Sequence, residues 1–226
     1  MSAPKVWSKF TGSNGAKLVI ATAPSDRINE AVDLHIKQYL SEDPLSKALD
    51  IANNKDALEE YKSLLVDGAN TTNFALVAAV DNGGVGEIVG VSFSYIIASD
   101  KPFEDMPAPK TKEIERLYAI TGAMHVPDIL STYKVDKYLD SFGIAIHPNY
   151  KNLGIELELL KARKLLAKEQ SIPLSVGWMM SDALQALAQQ DGYSVHKELN
   201  YPEFGQQHGL NFDNSPSTIK YVVSKV

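Results

Sequence analysis

Ser141-Phe142-Gly143-Ile144-Ala145-Ile146-His147-Pro148-Asn149-Tyr150-Lys151-Asn152-Leu153-Gly154-Ile155-Glu156 is the stretch on which the reading of the fold turns. Its apolar run, 142–146, reads as a buried strand, and His147-Pro148-Asn149-Tyr150 as a turn. Leu153-Gly154 then opens a helix that continues to about Glu169. On that helix Ile155, Leu159, Ala162 and Leu166 share one apolar face. Glu156 and Glu158 come early and Lys161, Arg163, Lys164 and Lys168 come late, an order that suits the helix dipole. A strand that feeds a helix so directly leaves unpaired backbone N–H groups at the helix start, and such groups bind anions. A glycine is needed wherever a phosphate must approach that backbone closely. One glycine ahead of a helix is common, so this signal is weak by itself.

The flanking sequence extends the pattern. Downstream, 173–179 reads as a second buried strand, 181–190 as a short helix, 192–199 as a strand, and 218–226 as a last strand after a loop. Upstream, 17–21 is a short apolar run, and Pro24-Ser25 caps a helix beginning near Asp26. Ile28, Val32, Ile36 and Tyr39 line its buried face until Ser41-Glu42-Asp43-Pro44 stops it. Residues 55–66 form a second helical pattern, with Leu58, Tyr61 and Leu65 toward the core. The apolar runs 73–80 and 88–97, joined by Asp81-Asn82-Gly83-Gly84, read as a hairpin. The segment 99–140 holds Pro102, Pro107, Pro109 and Pro127, with weak helical patterns at 112–118 and near 134–138, and reads as an insertion over the sheet. Residues 1–15 read as a flexible N-terminus. Together the elements predict a mixed α/β sheet within a single domain, 1–226.

Composition narrows the function. At 226 residues, 44% of them hydrophobic, the chain can bury one sizeable core. The net charge of -6 is spread without a basic block, which argues against a nucleic-acid partner. The absence of cysteine excludes thiol catalysis, disulfides and cysteine-bound zinc. His35, His125, His147, His196 and His208 lack paired metal-ligand spacing. No apolar run approaches the roughly 18 residues of a membrane span, so a cytoplasmic protein is expected. No pattern speaks to oligomeric state.

Lys151-x-x-Gly154-x-Glu156 resembles the Arg/Gln-x-x-Gly-x-Gly/Ala signature with which GCN5-related N-acetyltransferases wrap the pyrophosphate of acetyl-coenzyme A. The run 135–139 followed by 142–155 is similar to the corresponding stretch of insect arylalkylamine N-acetyltransferases. Asp43-Pro44-Leu45 and Asp191-Gly192-Tyr193 stand where that family has Glu-Pro and Leu-Gly-Phe. The resemblance covers roughly residues 17–226. It implies the family's fold, a largely antiparallel sheet of six or seven strands with helices on both faces. The sheet would splay between 142–146 and 173–179, so that the cofactor's pantetheine arm adds as a pseudo-strand. It further implies acetyl-coenzyme A as co-substrate and a small amine, such as an arylalkylamine, as acceptor. Ile144, Ala145 and Ile146 would serve the pantetheine. Lys151, Asn152, Leu153, Gly154, Ile155 and Glu156 would surround the pyrophosphate.

Several positions depart from the family. Glu156 replaces Gly or Ala, and like charges about 4 Å apart repel by roughly 1 to 4 kcal/mol between bulk water and a protein surface. Its other reading is a first-turn acid that stabilises its own helix. Lys151 keeps the positive charge without a guanidinium fork. Amide formation needs a neutral amine and therefore a base; the resemblance puts Asp43 there, one methylene shorter than the family's Glu, with Glu42 as the fallback. Asp43 also reads as a turn residue before proline. Ser181 falls near the first of two family serines but equally suits a helix N-cap. The second serine falls at Leu184 and a family arginine at Ala186. His147 reads as structural, His125 as a possible pocket residue, and Trp178 and Met179 as core. The alternative function is a catalytically inactive member of the fold that binds another ligand in a reused cleft.

Overall fold

A computed structural model describes residues 4–72, 74–99, 106–212 and 217–226. Among them eight strands form one sheet: β1 (Val6–Thr11), β2 (Lys17–Thr22), β3 (Ala75–Asp81), β4 (Val85–Ile97), β5 (Tyr138–Ile146), β6 (Leu174–Met179), β7 (Ser194–Asn200) and β8 (Thr218–Lys225). Their spatial order is β1-β2-β3-β4-β5-β6-β8-β7. Neighbours run antiparallel except β5 and β6, which are parallel. The helices are α1 (Ile28–Glu42), α2 (Pro44–Ala48), α3 (Lys55–Thr72), α4 (Lys112–Met124), α5 (Ile129–Tyr133), α6 (Ile155–Glu169), α7 (Asp182–Gln190) and α8 (Tyr201–Gln207).

β3 is apolar on both faces because both are covered. Ala75 and Val77 pack with Val32 and Leu40 of α1 and Tyr61 and Leu65 of α3. Leu76 and Ala78 turn the other way, toward Leu159, Ala162 and Leu166 of α6, as the alternation of a strand requires. Each large aliphatic side chain so buried stabilises the fold by about 1.5–3 kcal/mol. The helical face read from Ile155, Leu159, Ala162 and Leu166 is thus the one that meets the sheet.

The sheet has eight strands where six or seven were expected, and the difference lies partly in the N-terminus. Residues 1–15 were expected to be flexible, yet Val6–Thr11 pairs with β2, with Lys9 opposite Val19. Its residues are only half-buried at the sheet edge, so the segment lacks the apolar run that announces an interior strand. The Trp7 indole N–H donates to Thr22 Oγ1 at 3.1 Å and fixes it.

The insertion ends earlier than 140. Tyr138, Leu139 and Asp140 belong to β5, where Leu139 is fully buried and pairs with both Ile96 and Ser175. A charged residue inside the strand hid this; the Asp140 carboxylate is satisfied by the Tyr221 hydroxyl at 2.7 Å. The helical pattern near 134–138 is accordingly displaced to α5. α3 runs to Thr72, six residues past the expected end, and α8 occupies a stretch read as loop. Asn200 caps α8 by accepting from Glu203 N–H at 3.0 Å, and Tyr201 stacks on Phe212 at 4.0 Å. Asn73 and Pro102 lie outside the described residues.

Candidate active site

The parallel pair β5 and β6 meets at Leu139 and Ser175 and, among the described residues, is matched nowhere else. Beyond that point the strands diverge, which is the splay the family resemblance implies. On its other side β5 stays paired with β4, Ile146 facing Gly90 and Ile144 facing Ser92. His147 N–H donates to Val89 O at 2.8 Å. Backbone polar groups alternate along a strand, so Ala145 also turns its own to β4. Ile144 and Ile146 turn theirs to the open edge. The methyl of Ala145, by contrast, lines the cleft on the α1 side.

A bulge shapes the same edge. Three steps along β5, from Ser141 to Ile144, span the distance that two steps cover on β4 between Ser94 and Ser92. Gly143 sits in it at φ +99, and a Cβ there would collide with the Tyr39 ring. Phe142 is correspondingly turned outward, 37% exposed rather than buried, and its ring contacts Tyr95.

At the end of β5 the chain passes through a tight turn, Pro148–Tyr150, into α6. The His147 ring caps the turn, Nδ1 accepting from Asn149 N–H at 3.3 Å, the structural role read from the sequence. Asn152 has φ 61 and Gly154 φ 86, both left-handed. Gly154 is the N-cap of α6 and, among the described residues, no side chain caps the helix. A Cβ on Gly154 would meet nothing within 4 Å among the described residues. The first-turn amides of α6, including those of Ile155 and Glu156, thus lack a side-chain cap among the described residues and have the helix dipole behind them. Leu153 is buried against Gly12, and Ser13 Oγ donates to Asn152 O at 3.2 Å, so the β1–β2 hairpin braces the turn. Glu156 is partly exposed on the first turn. Lys151 forms an ion pair with Glu42, its side chain 38% exposed, a geometry worth about 0–1 kcal/mol. That pair occupies Glu42, the fallback base.

Asp43 is buried at the junction of α1 and α2. Its Oδ2 caps α2 by accepting from Ser46 N–H and Ser46 Oγ–H, each at 2.7 Å. Its Oδ1 is equally buried and, among the described residues, has no hydrogen bond of ordinary geometry. Burial pushes the Asp43 carboxyl above its usual range, opposed by the Ser46 bonds and by the nearby Tyr39 hydroxyl. The turn reading of Asp43 thus accounts for one oxygen, and the cap does not use Oδ1.

Asp43 lines a cleft of about 290 Å³ that also reaches Ile144 and Ala145 of the open strand. Its walls carry Tyr39, Tyr61, Tyr95, Phe142, Trp178 and Tyr221. Trp178, expected in the core, is partly exposed at this wall, while Met179 is buried as expected. His125 of the insertion also reaches the cleft. Ser181 and Leu184 stand at the opposite rim. Ser181 caps α7, Oγ accepting from Leu184 N–H at 3.2 Å. Ala186 is exposed and does not line the cleft.

Asp140 was not singled out from the sequence, although a lone acid between Leu139 and Ser141 in an apolar run is an available signal. It is buried on the cleft wall, and burial raises its carboxyl, opposed by Tyr221, Ser141 N–H, Arg163 and His125. Arg163, read as a late charge of α6, is likewise fully buried: it donates to Val176 O and to Ser175 Oγ at the fork between β5 and β6. No group of acidic or histidine side chains suited to a metal ion occurs among the described residues.

No family model matches the sequence. No curated protein matches it either. Solved structures do match. A candidate arylalkylamine N-acetyltransferase 7 from the yellow fever mosquito Aedes aegypti is 21% identical, with 98% of this chain and 95% of that one covered and a TM-score of 0.86. A mosquito arylalkylamine N-acetyltransferase-like 5b is 17% identical over 92% of this chain and 100% of that one, with a TM-score of 0.75. The polyamine N-acetyltransferase of Drosophila melanogaster, which forms N-acetylagmatine, is 14% identical over 92% and 100%, also at 0.75. The chain has the fold of the GCN5-related N-acetyltransferases, in the form built by the insect arylalkylamine N-acetyltransferases.

Proposed function

We propose that the protein is an acetyl-coenzyme A dependent N-acetyltransferase acting on a small amine. The observation that carries this reading is the meeting, in one cleft, of a buried carboxylate, Asp43, whose Oδ1 makes no hydrogen bond of ordinary geometry among the described residues, and an open strand edge. Solved structures of like fold include the Drosophila melanogaster polyamine N-acetyltransferase, which forms N-acetylagmatine, and lend the reading support. In it, the outward backbone groups of Ile144 and Ile146 hold the pantetheine. Amides of Leu153, Gly154, Ile155 and Glu156 hold the pyrophosphate, with Asn152 shaping the turn and Lys151 supplying charge once it leaves Glu42. The thioester supplies the activated acyl group.

The acceptor arrives as an ammonium ion and must lose a proton before its lone pair can form the amide. Asp43 Oδ1 is the group to take it, directly or through a water. A carboxylate held in an apolar site is more basic than one in water, and that suits the task. The acceptor's apolar part meets the aromatic wall, which fits an arylalkyl group; its positive charge suits the two acids, Asp43 and Asp140. Ser181 contributes the shape of the rim through its cap of α7.

A second reading, an inactive member of the fold with a reused cleft, is favoured by Glu156 beside the anion-binding amides and by Leu184 at the rim. The test is transfer of acetyl from acetyl-coenzyme A to a panel of tryptamine, dopamine, agmatine and putrescine, read as thiol release. Turnover of any of them supports the enzyme; none, together with no binding of coenzyme A, leaves the second reading standing.

A further inference from the structure

Tyr39 stands between the two halves of the site. Its ring stacks on His35 with centroids 4.6 Å apart and fills the space that Gly143 leaves at the bulge of β5. Its hydroxyl bears on the Asp43 carboxylate. The backbone ties the same two residues together, Asp43 N–H donating to Tyr39 O at 2.7 Å across the last turn of α1. One face of a single side chain thus packs at the strand edge, and the same residue shares the cleft wall with the carboxylate.

We propose that Tyr39 is a positioning residue that couples the open edge of β5 to Asp43, so that occupation of the edge is felt at the proton acceptor. This rests on the reading of β5 as the cofactor edge and of Asp43 as the base. The physical case is steric on one side and electrostatic on the other. Gly143 has no side chain to yield, so any shift of the bulge toward α1 presses on the ring. The ring cannot retreat, because His35 lies behind it and Phe93 meets His35 edge-on at 5.3 Å. A phenol O–H directed at a carboxylate stabilises its charged form, so moving the ring changes how readily Asp43 holds a proton.

The surroundings of Asp43 leave few other agents. From α2, Ser46 and Lys47 favour the ionised carboxylate. From α3 and α8, Tyr61 and Tyr201 face it, their own ionisation suppressed by burial and by Asp43. His35 is held neutral, its pKa lowered to about 3 by burial, so it serves as a packing surface and brings no charge. Of these, Tyr39 packs beside Gly143 of β5.

The test is a carbon-13 NMR titration of aspartate carboxyls, with Asp43 assigned by Asp43→Asn, in the wild type, Tyr39→Phe and Tyr39→Leu. Each is repeated with coenzyme A, whose affinity is measured by calorimetry. Tyr39→Phe keeps the ring and removes the donor: the Asp43 midpoint rises by about one pH unit and coenzyme A affinity is retained. Tyr39→Leu empties the space beside Gly143: coenzyme A binds about fivefold more weakly or worse, and its addition no longer moves the Asp43 midpoint as it does in the wild type. An Asp43 midpoint unmoved in Tyr39→Phe, or one that responds to coenzyme A equally in Tyr39→Leu and wild type, overturns the coupling. A wild type that binds no coenzyme A removes the cofactor edge and the proposed function with it, while the Tyr39→Phe titration still judges the contact with Asp43.

Discussion

Asp43→Asn separates the two duties of this residue. Asparagine still offers an oxygen to Ser46 N–H and Oγ–H, the bonds that cap α2, and asparagine is as good an N-cap as aspartate. What it loses is the basicity of Oδ1. General-base catalysis supplies about 10²- to 10⁴-fold, or about 3–5 kcal/mol of barrier, and the loss near neutral pH should fall in that range. The deficit should also depend on pH. Without a base the enzyme needs amine that is already neutral, and that fraction rises about tenfold per pH unit up to an amine pKa near 10. The wild type levels off once Asp43 is ionised, so the two rates converge as pH rises.

Stability moves the other way. Burial raises the folded-state pKa of Asp43 above its unfolded value. Folding then binds protons, so the group's contribution is fully present below the unfolded pKa and declines as pH rises through the folded one. Asp43→Asn removes that decline, and the variant should melt no lower than the wild type at neutral pH, with any gap closing in acid. Thiol-release kinetics with a saturating amine and thermal melts over a pH series measure both. A deficit that is the same at every pH, or no deficit, refutes Asp43 as the base.

Three further outcomes follow from the same geometry. Glu156→Ala should tighten coenzyme A binding about fivefold at low salt, fading as salt screens the site; calorimetry at two ionic strengths reads it. Gly143→Ala places a Cβ into the Tyr39 ring at a left-handed φ, which costs about 1–3 kcal/mol in urea unfolding and weakens coenzyme A binding. Ser181→Ala removes the cap of α7 and should cost about 1 kcal/mol while transfer continues at close to the wild-type rate.

Much of this was legible in residues 141–169, because the strand, the turn and the helix face each carry their own periodicity. The last turn of α1 was equally plain, since Pro44 cannot continue a helix past Asp43. Part of what escaped the sequence is polar residues whose partners are remote. Asp140 interrupts β5 as a charge and is explained by Tyr221, which lies in β8. Arg163 reads as one more late charge on α6 until Val176 and Ser175 are seen to receive it. β1 carries no core pattern because it lies at an edge, and its brace on the Asn152 turn depends on a hairpin closing over it. The Tyr39–Gly143 contact depends on a bulge, which no pattern in either strand announces.

Titration of the wild-type protein with acetyl-coenzyme A, followed by amide NMR, addresses the central claim. The account predicts saturable binding with a dissociation constant between about 1 µM and about 1 mM, and amide shifts concentrated at Ile144, Ile146 and Leu153 through Glu156. Absence of binding, or shifts that leave the open edge of β5 and the start of α6 unperturbed, contradicts it.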